Sequence, residues 1–244
     1  MHNVKRAIIM AAGTGKRLRP VTLDTPKPLV KVNGVRMIDT AIQGLQKNGI
    51  HEIYVVVGYL KEKFLCLTEE YDDIKLIENP YYDVCNNISS LYAARDYIDD
   101  VMILDGDQLI CHPEILKPEF EHSGYHAVWT DTWTGEWLLT VENGFITGCS
   151  RNGGQNGWQL FSISRWNRED GLRLKKHLEL EFEEKKNRQI YWDDVAMFCY
   201  PDAYKLQIYP MQYGDVIEID HIDELISLDS TYKDLTEGKM RQEI

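Results

Sequence analysis

The chain has 244 residues, 43% of them hydrophobic, and a formal net charge of −12. That length suits one domain with an ordinary core, and no apolar run approaches the roughly 18–20 residues that cross a bilayer. The acidic balance argues against nucleic acid as the main partner. The five cysteines (66, 85, 111, 149 and 199) are scattered with no C-x-x-C pair and read as reduced thiols of a cytoplasmic protein.

From the N-terminus the pattern alternates. The apolar run Ala7–Ala12 is too short for a signal peptide, and Arg6–Ala12 reads as a buried strand. Residues 38–47 place Ile38, Ala41, Ile42 and Leu45 on one helical face, closed by Gly49. Residues 52–57 predict a second strand, 61–71 a helix, 74–78 a third strand, and 88–98 a helix with Asn86 or Asn87 as its cap. Residues 101–104 predict a fourth strand running into Asp105-Gly106-Asp107. This alternation implies an α/β fold: a doubly wound, mostly parallel, Rossmann-like sheet with helices on both faces.

The second half is richer in hairpins. Strands are predicted at 126–130, 136–141, 145–150 and 158–164, with Asn143-Gly144 as a hairpin turn. A long helix over 168–186 carries a Glu/Lys run that reads as a solvated face. A short strand at 217–219 and a helix at 222–235 close the pattern. We read one domain over 1–244, with a nucleotide-binding half (5–125), an acceptor-binding half (126–235) and a tail (236–244) that is a frayed end or a linker.

In open α/β sheets ligands bind at the carboxyl ends of the strands. The turn after the first strand and the D-x-D after the fourth share that rim. The first turn belongs to "AIIMAAGTGKRLRPVTLDTPKPLV", residues 7–30. It is neither G-x-G-x-x-G, since Leu18 takes the third glycine's place, nor a Walker P-loop. Its glycines, Gly13 and Gly15, let backbone approach a phosphate, with Ala11 and Ala12 leading in. Arg17 adds a bidentate donor for phosphate oxygens. Lys27, between Pro26 and Pro28, projects from a stiff segment and suits charge neutralisation at a transferring phosphorus. A solvated basic loop is the plain alternative.

At this point the sequence resembles a family. "MAAGTGKRLRPVTLDTPKPL" looks like the signature of nucleotidyltransferases that join an NTP to a phosphorylated small molecule. "NPYYDVCNNISSLYAAR", "LDGDQLI", "GEWLL", "IYWDDV" and "IEIDHIDE" resemble the bacterial CTP:phosphocholine cytidylyltransferases. The resemblance implies that Arg17 and Lys27 are catalytic and that Asp107 and Asp220 hold Mg²⁺. It also implies that the tract Asn79 to Ser90 lies against the cytosine and ribose; within it we take Asn87 and Ser90, with Asp105, to join the glycine turn around the nucleotide. Two carboxylates plus phosphate oxygens suit Mg²⁺; a turn or cap residue is the plain alternative for either aspartate alone. A phosphomonoester is already largely dianionic at neutral pH, with a second pKa of about 6, so no general base is required. The seven histidines need no catalytic role, and His221 reads as a helix-start residue.

All six tryptophans fall in the second half. For any one of them core packing is the simpler reading. However, Trp137 follows Glu136, and Tyr191-Trp192 precede Asp193-Asp194. Aromatic faces beside carboxylates are what a quaternary ammonium needs, because it has no N–H to donate. The expectation is therefore transfer from CTP to phosphocholine, with no nucleic-acid partner and no membrane insertion, and with fusion or coupling to a choline-phosphorylating partner. Transfer to a sugar 1-phosphate, or to an aminoalkyl phosphate or phosphonate, is the alternative among enzymes. A non-catalytic nucleotide sensor is the alternative outside them.

Overall fold

Strand β1 (Arg6–Met10) buries both faces: Ala7 and Ile9 pack on one side of the sheet, Ile8 and Met10 on the other. A strand apolar on both faces belongs in the middle of a parallel sheet covered by helices. In the computed structural model, which describes residues 1–234, β1 lies there. It is flanked in parallel by β2 (Glu52–Val57) and by β4 (Val101–Asp105), while β3 (Ile74–Glu78) extends the sheet beyond β2. The tail 236–244 and Leu235, the predicted end of the last helix, lie outside the described residues.

Helix α1 (Met37–Lys47) lays Ile38, Ala41, Ile42 and Leu45 on the Ala7/Ile9 face, and α2 (Leu65–Glu70) adds Leu67. On the other face α3 (Ile88–Ala93) and α4 (Arg168–Glu179) contribute Ile88, Leu91, Leu174 and Leu178. The sheet is doubly wound, as expected.

Four predicted helices are shorter than their patterns; the last, expected over 222–235, ends at Leu228 and is followed by a 3₁₀ turn at Ser230–Tyr232. Residues 61–64 form a 3₁₀ turn before α2, and 95–97 another after α3. Neither asparagine side chain caps α3. Asn86 Oδ1 accepts from the next residue's N–H, and Asn87 Oδ1 accepts from Trp192 N at 2.9 Å. After α4, residues 180–184 widen into a π turn. Within that charged run Glu181 is not solvated: it is buried, accepting from Lys185 Nζ at 2.6 Å and Asn187 Nδ2 at 2.9 Å.

The second half changes the sheet's character. Strands β6 (Gly124–Thr130), β7 (Leu138–Glu142), β8 (Phe145–Ser150), β9 (Gly157–Trp166) and β10 (Gln207–Met211) give the order β6-β10-β8-β7-β9-β4-β1-β2-β3. Only β6 and β10 are parallel here; the other pairings are antiparallel. Strand β6 also pairs with β9, so this half curls back on itself. Asn143 and Gly144 both have positive φ (52° and 83°), the backbone that a two-residue hairpin turn demands.

A third core cluster matters most for the site. Leu18, Val30, Val32 and Met37 pack with Ile219 and Leu225. They tie the basic loop to β11 (Val216–Glu218) and α5 (Ile222–Leu228), which lie about 200 residues away in sequence. Strand β11 pairs with β5 (Gln108–Ile110), immediately after the D-x-D turn. His221 opens α5 with a capping box, in which its N–H donates to Glu224 Oε2 at 2.8 Å.

Candidate active site

A cleft of about 510 Å³ opens at the carboxyl ends of β1 and β4 and runs under the second half. Its lining brings together most of the predicted residues: Ala11, Ala12, Gly13, Gly15, Arg17, Lys27, Asn87, Ser90, Asp105, Asp107, Glu136, Trp137, Tyr191, Asp193 and Asp220.

The turn after β1 has the flexible backbone its glycines suggested, at one position. Gly15 has φ +59°, and a Cβ there would meet Lys27 Cβ and Thr22 Cγ2 at 3.0 Å. Thr22 Oγ1 donates to Gly15 O at 2.7 Å and holds the turn closed. The N–H of Ala11 is already given to Val56 O at 2.9 Å, so that residue offers the cleft no amide.

Lys27 is the centre of the charged end. It is 7% exposed, and its Nζ donates to Asp107 Oδ2 at 2.6 Å and to Asp220 Oδ1 at 2.9 Å. Burial works against its charge, but the two carboxylates outweigh it and the ammonium pKa is raised. Arg17, more exposed, donates to the same Asp220 oxygen at 2.8 Å. For Asp220 burial favours the neutral acid, yet Lys27 and Arg17 hold its pKa below the ordinary value.

The other carboxylates of the cleft lack such partners. Burial, with Asp107, Asp193 and Glu218 nearby, pushes Asp105 well above the usual range. Burial and Asp107 push Glu218 up to about 7. Burial drives Asp193 to about 8, with Asp194 adding to the effect. Glu218 was not singled out from sequence, although its place in "IEID" just before Asp220 was a signal for it. Ser162 and Leu160 on β9 also line the cleft, and nothing local marks them.

The donor set fits a magnesium ion. Asp107 and Asp220 converge on one cationic point, which the Lys27 ammonium occupies here. Among the described residues no group of three or more His, Cys, Asp or Glu forms a ready-made cage. Mg²⁺ usually takes one or two carboxylates and completes its shell with water and substrate phosphates.

The acceptor end departs from expectation at two residues. Trp192 is fully buried, packed against Tyr125 and Trp166 in the core, and does not line the cleft. Asp194, also buried, is ion-paired with Arg151 and caps its own turn by accepting from Tyr191 N at 2.8 Å. The cause is packing: the turn at 191–194 delivers the Trp192 ring to Tyr125 and Trp166 and the Asp194 carboxylate to Arg151. Tyr191 and Asp193 face the cleft while Trp192 and Asp194 face inward. Trp137 meets Tyr191 and Phe198 edge-on, with ring centroids 5.7 and 5.5 Å apart. Glu136 and Trp137 precede β7 and lie off the strand predicted to hold them. Among the described residues no helix is long and apolar enough to cross a membrane.

The nucleotidyl transferase family model matches residues 6–123. A 2-aminoethylphosphonate cytidylyltransferase of Lancefieldella rimae is 36% identical over 93% of this chain and 92% of its own length. A choline-phosphate cytidylyltransferase of Streptococcus pneumoniae is 29% identical over 93% and 98%. The solved structure of a CTP:phosphocholine cytidylyltransferase from Streptococcus pneumoniae superposes with a TM-score of 0.86 at 28% identity, covering 93% of this chain and 98% of that one. With similarity spread along nearly the whole of both partners, the chain belongs to the nucleotidyltransferase family, as a relative of cytidylyltransferases.

Proposed function

We propose that this enzyme joins the cytidylyl group of CTP to phosphocholine, giving CDP-choline and pyrophosphate. The observation that carries the reading is the pairing of two unlike ends in one cleft. One end has Arg17, Lys27, Asp107 and Asp220; the other has the rings of Trp137 and Tyr191 with Glu136 and Asp193. The first end suits polyphosphate and the second a compact organic cation.

In this reading a phosphate oxygen of the acceptor attacks the α-phosphorus of CTP. The bond from that phosphorus to the β-phosphate oxygen breaks, and pyrophosphate leaves in line. Lys27 and Arg17 neutralise charge as it moves onto the leaving group. Asp107 and Asp220 are the residues that would hold Mg²⁺, which when bound supplies Lewis-acid charge stabilisation to the phosphates. Gly13 and Gly15 bring backbone close to the nucleotide, and Ser90, Asn87 and Asp105 line its side of the cleft.

A second reading is transfer to 2-aminoethylphosphonate. It is favoured by the 36% identical relative that bears that name. It is also favoured by the number of cleft carboxylates, which can accept N–H bonds from a primary ammonium. A pyrophosphate-release assay with CTP and Mg²⁺ tests both, using phosphocholine, phosphoethanolamine, 2-aminoethylphosphonate and glucose 1-phosphate as acceptors. The proposal expects the highest kcat/KM with phosphocholine. Preference for 2-aminoethylphosphonate replaces it with the second reading, and preference for the sugar phosphate removes both.

A further inference from the structure

Behind the acceptor wall stands a residue to which neither the sequence pattern nor the relatives give a role. Arg151 follows β8 in a loop held by Ser150 Oγ, which donates to Gly153 O at 2.9 Å, and by the bridge between Thr134 and Gly154. Its guanidinium carbon lies 3.8 Å from the Phe198 ring centroid and 5.7 Å from that of Trp137. Its Nη2 donates to Asp194 Oδ1. Asp194 is 2% exposed and, through its other oxygen, accepts from the backbone N–H of Tyr191. One guanidinium thus touches the ring beside Trp137, lies over Trp137 itself, and satisfies the carboxylate that fixes Tyr191. It thereby ties the segment of Tyr191, Asp194 and Phe198 to Trp137, whose ring meets Tyr191 and Phe198 edge-on.

We infer that Arg151 is a positioning residue for acceptor recognition: it holds the Trp137–Tyr191 wall in register and so sets how strongly a quaternary ammonium is preferred. The inference rests on the acceptor reading proposed above. A planar guanidinium is suited to this place, because it can stack on a ring and bond a carboxylate in its own plane at once. Its loss would leave Asp194 buried and unpaired beside Asp193, and an uncompensated buried charge forces its surroundings to shift or to protonate. Arg151 does not line the cleft, so the phosphate end should not register its loss. The consequence differs between acceptors. A trimethylammonium is held by ring faces and field alone, so a displaced wall weakens it. A primary ammonium keeps its N–H bonds to the cleft carboxylates.

The test is steady-state kinetics on Arg151→Met, Arg151→Lys and the double variant Arg151→Met/Asp194→Asn, alongside the wild type. Arg151→Met is expected to raise KM for phosphocholine about tenfold, equivalent to ~1.4 kcal/mol. Its KM for CTP and its kcat are expected to stay within about twofold, since a change in binding alone leaves kcat untouched. KM for 2-aminoethylphosphonate should rise less. Arg151→Lys keeps the charge but not the plane and should fall between. The double variant, which removes the orphaned carboxylate, should recover part of the loss. An unchanged phosphocholine KM in both single variants would overturn the inference. So would equal losses in the CTP and acceptor constants, because they would mean a general loss of structure. If Arg151→Met does not fold, the lysine and double variants carry the same comparison. A wild type that uses only sugar phosphates would instead remove the acceptor reading itself.

Discussion

At the scale of single residues, Lys27 and Asp220 are bound to one another, and the proposed reaction gives each a separate task. Lys27 is buried and preorganised, so its charge should matter most where negative charge moves during transfer. Lys27→Ala is expected to lower kcat by about 10² to 10³ and to change CTP affinity much less; an unchanged kcat with a raised KM for CTP would make Lys27 a ground-state contact. Asp220 engages both Arg17 and Lys27. Asp220→Asn should therefore bind CTP several-fold more tightly than the wild type in a chelator, as measured by calorimetry, yet show no turnover with Mg²⁺. Equal or weaker binding in the chelator would mean that these ion pairs do not compete with the triphosphate.

At the scale of elements, a buried polar strut joins β6 and β9 to the segment after β5. Arg165 donates through Nη2 to Ile115 O at 2.6 Å and to Lys117 O at 3.0 Å, and its Nη1 faces His126 Nε2 at 3.2 Å. The same Nε2 lies 3.0 Å from Ile115 O, and Nδ1 lies 3.2 Å from Ile163 O. Burial, helped by Arg165, drives the His126 pKa down to about 3. Between that value and the ordinary one near 6.5 the unfolded chain binds the extra proton, so this site's contribution to stability falls as pH falls. His126→Gln removes the titration. The gap in unfolding free energy between wild type and variant should narrow by roughly 1.4 kcal/mol from about pH 7.5 to about pH 5.5 in urea titrations. Asp193 and Glu218, whose raised pKa values act in the opposite direction, are present in both proteins and cancel in the difference. A gap equal at both pH values would show that His126 does not charge in the unfolded chain over this range.

At the scale of the molecule, the cleft is assembled by a chain that crosses it repeatedly. The parallel half brings the glycine turn, Lys27 and Asp107; the curled second half brings Trp137, Tyr191 and Asp193; the chain then returns through β11 to set Glu218 and Asp220. The two ends of the cleft thus belong to different elements and should fail separately. Trp137→Ala is expected to raise KM for phosphocholine by about tenfold, or ~1.4 kcal/mol, and to leave KM for CTP nearly unchanged. It should also reduce discrimination against phosphoethanolamine. Full discrimination in the variant would make Trp137 a packing residue only.

The sequence by itself determined what is local. The unbroken apolar runs over Arg6–Met10 and Glu52–Val57 report strands buried on both faces, and the i, i+3, i+4 face of α1 reports which side of that helix is buried. Asn143-Gly144 demands one kind of turn, and Lys27 between prolines can point in few directions. Only the tertiary structure decided what depends on partners distant in the chain. Trp137 and Trp192 are both tryptophans beside acids, and only packing puts one on the cleft and the other in the core. The antiparallel curl of the second half is set by hydrogen bonds among β6, β7, β8, β9 and β10, which leave no mark on any single strand. Asp220 meets Lys27 across 193 positions of sequence because the small core of Leu18, Val30, Ile219 and Leu225 closes between them. That closure is a matter of which apolar faces find each other, and periodicity shows that a face exists without naming its partner.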